Sequence, residues 1–206
     1  MILDGKNVSE IPSRQMAKML GLLPQSPVVP EGIRVMDLVS RGRFPYRQFL
    51  KSMTREDYAA VEEAMEIMGI TELTDRAVEE LSGGQRQRVW IALALAQQTD
   101  ILLLDEPTKG LDGFYKQKLA DIFERLKKRG VTILMVSHDI EFCASYGDTC
   151  AMFFDGSVIT SQSAKAFFVG NSFYTTAANR MARQLYPDAV TVKEVIEACS
   201  KNRRQE

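Results

Sequence analysis

Apolar residues alternate along this chain between short continuous runs and helical spacings, a pattern that predicts an α/β fold. The runs "ILLL" at 101–104 and "VTILMV" at 131–136 have the length and composition of parallel strands buried on both faces. Between them, four apolar residues recur at the i, i+3, i+4 and i+7 positions of one helix face: Leu119, Ile122, Phe123 and Leu126. Strand, helix and strand in this order predict a right-handed βαβ unit with parallel strands.

Three further segments flank this unit. Residues 17–30 predict a short strand, stopped by Pro24, and a proline-rich loop that contains Gln25. Two apolar runs around Asp155-Gly156 predict a tight hairpin, because this dipeptide favours the left-handed conformations of a type I′ turn. Residues 160–206 are expected to form a helical C-terminal extension.

The segment from 35 to 80 has the spacing of short helices and predicts a small helical subdomain. Thr54 and Asp57 stand three residues apart, the separation of a capping box at a helix start. Gly69 follows the longer helical pattern and predicts its end.

Charge and composition argue against several classes of protein. The chain has 26 Lys and Arg against 27 Asp and Glu, a balance that does not favour a nucleic-acid-binding surface. Its apolar runs are far shorter than the roughly 18 residues of a membrane span, and the first residues lack a signal-peptide pattern. The three cysteines lack metal-ligand spacing and predict no disulfide framework. These features favour a cytoplasmic protein.

Polar residues that could take part in catalysis or ligand binding follow the predicted strands or open a predicted helix. Asp105 and Glu106 come directly after the run at 101–104, and His138 follows the run at 131–136, so the parallel arrangement places all three at one sheet edge. The stretch "SGGQ" at 82–85 opens a helix, whose free N–H groups and dipole suit an anion. Taken singly, these features also suit solvated acids, an ordinary turn and a core histidine.

Five motifs in this order resemble the nucleotide-binding subunit of the ABC transporter family over about residues 1–160. They are "LLPQSP", similar to its Q-loop; "LSGGQ" (Leu81–Gln85), its signature motif; "ILLLDEP", similar to Walker B with the catalytic glutamate; "GLD" (Gly110–Asp112), similar to the D-loop; and "VSHD", similar to the H-loop. The resemblance implies a partial P-loop NTPase (ABC ATPase) core with a parallel sheet and the helical subdomain at 35–80, within one domain that spans 1–206.

The resemblance also implies a role for each motif residue, with ATP and Mg²⁺ as cofactors. Asp105 would hold Mg²⁺ largely through water, with Gln25 sensing the metal and water. Glu106 would act as the general base or polarise the attacking water. His138 would contact the γ-phosphate. Nucleotide binding would also involve the signature and D-loop residues Ser82, Gly83, Gly84, Gln85 and Asp112. Such chemistry depends on positioning and charge neutralisation during phosphoryl transfer.

A phosphate-binding loop of the form G-x-x-x-x-G-K-[ST] does not occur in the chain. The first residues, "ILDGKNVSEIP", resemble the family segment that follows this loop. The expectation is therefore an N-terminal truncation of about 40 family residues. Such a chain should hydrolyse ATP negligibly by itself and should expose apolar edges of its sheet.

Two lineages within the family resemble different parts of the chain. Residues 1–107 look like the ATPases of iron-siderophore and cobalamin importers, and residues 108–206 look like those of energy-coupling-factor importers. A hybrid of two related genes and a single divergent subfamily both explain this.

The leading interpretation is an importer ATPase subunit that works as a head-to-tail dimer with a second ABC ATPase beneath integral-membrane permease subunits, peripheral to the inner face of the membrane. A catalytically silent ABC-type binding module is a second interpretation, supported by the missing loop. A non-transport ABC ATPase acting on nucleic acid or the ribosome is the third, and the near-neutral charge argues against it.

Overall fold

The computed structural model describes residues 2–3, 5–24, 30–47, 51–171 and 173–202. They fall into two compact units that divide between Val136 and Ser137. The first unit contains β1 Ile2–Leu3, β2 Lys6–Asn7, α1 Ser13–Met19, β3 Leu20–Leu23, α2 Val35–Ser40, α3 Arg55–Met68, α4 Gly83–Ala96, β4 Ile101–Asp105, α5 Gly113–Lys128 and β5 Thr132–Val136. The second contains α6 Ile140–Tyr146, β6 Thr149–Phe154, β7 Ser157–Ser163, α7 Ala164–Gly170, α8 Ala177–Ala182 and α9 Val192–Asn202.

A three-stranded parallel sheet in the order β3-β4-β5 organises the first unit. The register places Asp105 beside Val136, so the carboxyl ends of β4 and β5 lie at the same edge. Helix α5 connects these two strands, which confirms the predicted βαβ unit and the α/β fold class. Helix α1, directly before β3, has no counterpart in the sequence prediction.

Only one face of this sheet is covered among the described residues. Leu102 and Leu104 of β4 are buried on that face. On the other face, Leu22 of β3 is 56% exposed and Leu134 of β5 is 61% exposed. The prediction that both runs are strands buried on two faces is therefore wrong. The physical reason is position: β5 is an edge strand of the described three-stranded sheet, where it pairs with β4 alone.

The longest helix between β3 and α4 is α3, and it begins and ends at the residues that the sequence predicts. The Thr54 side chain accepts a hydrogen bond from the Asp57 N–H at 3.2 Å, and the Asp57 carboxylate accepts one from the Thr54 N–H at 3.0 Å. Gly69 adopts the left-handed conformation, with φ of 59°, that ends α3. Helix α4 packs against both α2 and α3.

A buried ion pair joins the helical region between β3 and α4 to the end of α4. Arg43 Nε lies 2.9 Å from Asp57 Oδ1, and both side chains are almost fully buried. Arg43 also donates to the Ala96 carbonyl at 2.9 Å. Desolvation opposes ionisation of Asp57, but hydrogen bonds from Thr54 and Arg43 outweigh it and lower the pKa of this carboxyl.

The second unit begins with α6 and the antiparallel β6–β7 hairpin. Asp155 and Gly156 have φ of 48° and 77°, both positive, as the predicted type I′ turn requires. Phe168 and Val190 form the buried centre of this unit with Ala164. Helices α7–α9 lie within 160–206; the assignment of this range and of 35–80 as separate parts of one domain stays a prediction.

Candidate functional site

The signature turn, Ser82–Gln85, is built as a reciprocal cap at the start of α4. Ser82 Oγ accepts from the Gln85 N–H at 3.3 Å, and Gln85 Oε1 accepts from the Ser82 N–H at 3.0 Å. Both side chains are thereby fixed without a ligand. The N–H groups of Gly83 and Gly84 find no acceptor among the described residues, as expected for the first turn of a helix.

The two glycines of this turn meet different surroundings. A Cβ on Gly84 would lie 2.8 Å from the carbonyl oxygen of Gly110, so close packing of two backbone segments requires glycine there. A Cβ on Gly83 would meet no described residue within 4 Å, and Gly83 is exposed. The chain's own packing explains Gly84 and leaves the space beside Gly83 open.

The two acids at the end of β4 differ in burial and backbone conformation. Asp105 is half-buried and closes the strand, whereas Glu106 is 8% exposed. Glu106 has a φ of 50°, a left-handed conformation that costs a residue with a side chain about 1–3 kcal/mol. Its N–H donates to the Val136 carbonyl at 2.8 Å, so β5 helps to hold this conformation. Strain of this kind clusters at functional sites.

We call the turn from Glu106 to Gly110 the acidic turn, because it begins at the second of these two acids. Its Gly110 has a φ of 73° and contacts Gly84, so the structure brings the acidic turn and the signature turn together. Asp112, predicted to bind nucleotide, accepts from the Tyr115 N–H at 2.9 Å and caps α5. Its observed contact is a helix cap, and its nucleotide role stays a prediction.

Gln87 on α4 makes a contact that the sequence did not predict. Its Nε2 donates to the carbonyl oxygens of Glu106 and Pro107, each at 3.3 Å. Nothing in the hydrophobic pattern indicates this link, because the partners are backbone atoms of a turn 19 residues further along the chain.

The positions of two further predicted site residues relative to these turns stay predictions. Gln25 falls outside the described residues. His138 is exposed and belongs to the second unit, two positions after β5. Its proposed meeting with Asp105 and Glu106 therefore stays a prediction.

The carboxylates at the end of β4 can supply only part of the ligands that a Mg²⁺ ion needs. This ion takes six oxygen ligands and is commonly held by one or two carboxylates together with water and substrate phosphates. Among the described residues, no group of three or more His, Cys, Asp and Glu side chains comes together. Asp105 can thus supply one ligand, with water and nucleotide oxygens supplying the rest. No described helix is long and apolar enough to cross a membrane.

Comparison with known proteins places these motifs in a family context. The family model described as "ABC transporter" matches residues 1–109, which include the signature turn and both acids. The probable siderophore transport system ATP-binding protein YusV of Bacillus subtilis is 46% identical over 147 residues, 71% of this chain and 54% of YusV. The chain thus spans about half the length of this relative.

Two further comparisons cover a larger share of the chain. A putative ABC transporter ATP-binding protein of Bacillus cereus is 37% identical over 198 residues, 95% of this chain and 34% of that protein. The solved dimer of MJ0796, a bacterial ABC transporter cassette, gives a TM-score of 0.69 at 25% identity and covers 79% of this chain and 72% of that one. The 198-residue match crosses positions 107 and 108, so both predicted lineage segments align with one relative; whether the chain is a hybrid stays a prediction.

Proposed function

Because this chain belongs to the ABC transporter family, we propose that it is an ATP-binding subunit of an importer of the iron-siderophore, cobalamin or cobalt/vitamin class. It would act in the cytoplasm at the inner face of the membrane, beneath permease subunits. The relative YusV, named for siderophore transport, supports the substrate class. The dimeric cassette MJ0796 supports pairing with a second ABC ATPase subunit.

The signature turn is the part of the site that this chain builds most completely. We propose that it clamps a nucleotide held mainly by the partner subunit. The single observation that carries this is the open space beside Gly83, next to two N–H groups at a helix N-terminus. A helix start of this kind attracts phosphate through both its free donors and its dipole.

The acidic turn would serve the chain's other nucleotide position. Bound Mg²⁺ would neutralise phosphate charge there. Asp105 would hold that ion largely through water together with Gln25, and Glu106 would orient and deprotonate the attacking water. His138 would contact the γ-phosphate, and Asp112 would approach the nucleotide. The phosphate-binding loop that this position needs is absent from the 206 residues, so the isolated chain is proposed to bind Mg-ATP poorly.

The test is rescue of a full-length family ATPase whose own signature serine has been changed to arginine. That protein keeps its phosphate-binding loop and lacks a working clamp. Adding this chain should restore ATP turnover. If the mixture never exceeds the mutant partner alone, the proposed clamp is wrong.

The control uses two substitutions of Ser82 that separate folding from binding. Ser82→Asp keeps a good helix cap, because Asp is as favourable as Ser at that position, but it places an anion where phosphate would lie. The substitution should preserve thermal stability and abolish rescue. Ser82→Ala removes the cap at a cost of about 0.5–2 kcal/mol without adding charge, and should retain part of the rescue.

A further inference from the structure

Gln87 links the signature helix to the backbone of the acidic turn. Its Nε2 lies 3.3 Å from the Glu106 oxygen and 3.3 Å from the Pro107 oxygen. Both neighbours are carbonyl oxygens, which only accept hydrogen bonds, so the amide must present its NH₂ group to them. The residue stands two positions after Gln85, which closes the signature turn.

The carbonyl that Gln87 contacts belongs to the strained residue of the site. Glu106 is left-handed, and its N–H is held by Val136 at 2.8 Å. Its carbonyl oxygen also accepts from the Lys109 N–H at 3.1 Å. Gln87 supplies the second donor to that oxygen, so both polar backbone groups of Glu106 are fixed. A left-handed residue with a side chain persists only where its surroundings hold it in this way.

A second contact joins the same two turns. Gly84 packs against the Gly110 carbonyl at the far end of the acidic turn, while Gln87 holds its beginning. The acidic turn is thus attached to α4 at both ends. These two attachments are the contacts through which the positions of the two turns would depend on each other.

We propose that Gln87 is a positioning residue that holds Glu106 in its left-handed conformation and keeps the signature turn in register with it. The inference rests on the proposed function, in which the signature turn faces one nucleotide and Glu106 faces another. Gln87 would then couple the two nucleotide positions within one chain. It acts through the backbone of Glu106 and touches no reacting atom itself.

Two substitutions with long side chains distinguish the effect of the Gln87 hydrogen-bond donor from the effect of its side-chain bulk. Gln87→Met keeps the bulk and removes the hydrogen-bond donor, whereas Gln87→Lys keeps a donor on a long chain. Gln117→Met is the matched control, because Gln117 is an exposed glutamine on α5 that bonds Asp121 within its own helix. Melting followed by Trp90 fluorescence establishes that each variant is folded.

The first readout is the conformation of Glu106 in the isolated chain, measured by its Cα and Cβ chemical shifts in NMR. The shifts should leave the left-handed range in Gln87→Met and remain there in Gln87→Lys and in the Gln117→Met control. Left-handed shifts retained in a folded Gln87→Met variant would overturn the proposal.

The second readout is the rescued ATP turnover with the mutant full-length partner. Gln87→Met should lower the maximal rate about 3–10-fold, because it removes both hydrogen bonds to the acidic turn. The half-saturating chain concentration should be unchanged. Gln87→Lys should recover most of that rate, and an unchanged maximal rate in Gln87→Met would contradict the coupling. If the unmodified chain gives no rescue, the proposed function is wrong, while the chemical shifts still decide whether Gln87 positions Glu106.

Discussion

An added methyl group should destabilise the chain at Gly84 of the signature turn but not at Gly83. In Gly84→Ala the new Cβ would stand 2.8 Å from the Gly110 carbonyl oxygen, and backbone must move to relieve the clash. Overpacking of this kind costs about 1–3 kcal/mol, offset by up to about 1 kcal/mol of better helix propensity. With about 2 kcal/mol as the middle of the overpacking range, the expected net loss of unfolding free energy is about 1–2 kcal/mol. Gly83→Ala meets open space and should be neutral or slightly stabilising.

Urea denaturation followed by Trp90 fluorescence measures this difference, because the only tryptophan lies on α4. With a urea m-value of about 2 kcal/mol per molar, the midpoint should fall by about 0.5–1 M in Gly84→Ala. In Gly83→Ala it should stay level or rise by less than about 0.5 M. In the rescue assay, Gly83→Ala should lose turnover despite its stability, since its methyl group enters the proposed nucleotide space. Equal midpoints for the two variants would refute the claim that Gly84 is tightly packed against Gly110. Full rescue by Gly83→Ala would refute the claim that the nucleotide occupies the space beside Gly83.

Three further predictions concern stability and association. The pKa of Asp57 is lowered in the folded chain, so its stabilising contribution is complete above the ordinary carboxyl value of about 3.9 and is lost as the pH falls through the lower folded value. Acid denaturation should therefore steepen below about pH 4, and an unaltered acid profile in Asp57→Asn would contradict this. Arg43→Met should lower the free energy of unfolding by about 3–5 kcal/mol, because it leaves the buried Asp57 carboxylate without its cation. Adding Asp57→Asn should recover part of that loss. A loss under about 1 kcal/mol for Arg43→Met in a denaturant titration would contradict the prediction. The open sheet face should make the chain self-associate, and Leu134→Thr should reduce this in sedimentation velocity, whereas a monodisperse parent chain would count against the prediction.

Local signals predicted the elements that surround the site. Thr54 and Asp57 form the capping box that their spacing predicts, because a cap depends on residues within one turn of helix. The Asp155-Gly156 turn follows for the same reason. The parallel pairing of β4 and β5 also followed from the sequence, since the intervening helix leaves little choice of connection.

Features that depend on distant partners were not predictable in this way. The exposure of Leu134 and Leu22 depends on which elements cover a sheet face, and periodicity within one strand carries no information about that. The left-handed Glu106 and its link to Gln87 depend on a turn whose geometry is set by the strand beside it. The motif pattern marked Asp105 and Glu106 as candidate site residues, but the backbone conformation of Glu106 required the structure.

The most direct test of the account is ATP-dependent association between this chain and the full-length ATPase with a mutated signature serine. Sedimentation velocity would compare the two proteins mixed with ATP, with ADP and without nucleotide. The account predicts a one-to-one complex that forms with ATP, weakens with ADP and disappears when this chain carries Ser82→Asp. A complex of equal stability under all three conditions, or with the Ser82→Asp chain, would contradict the claim that the signature turn clamps a nucleotide held by a partner.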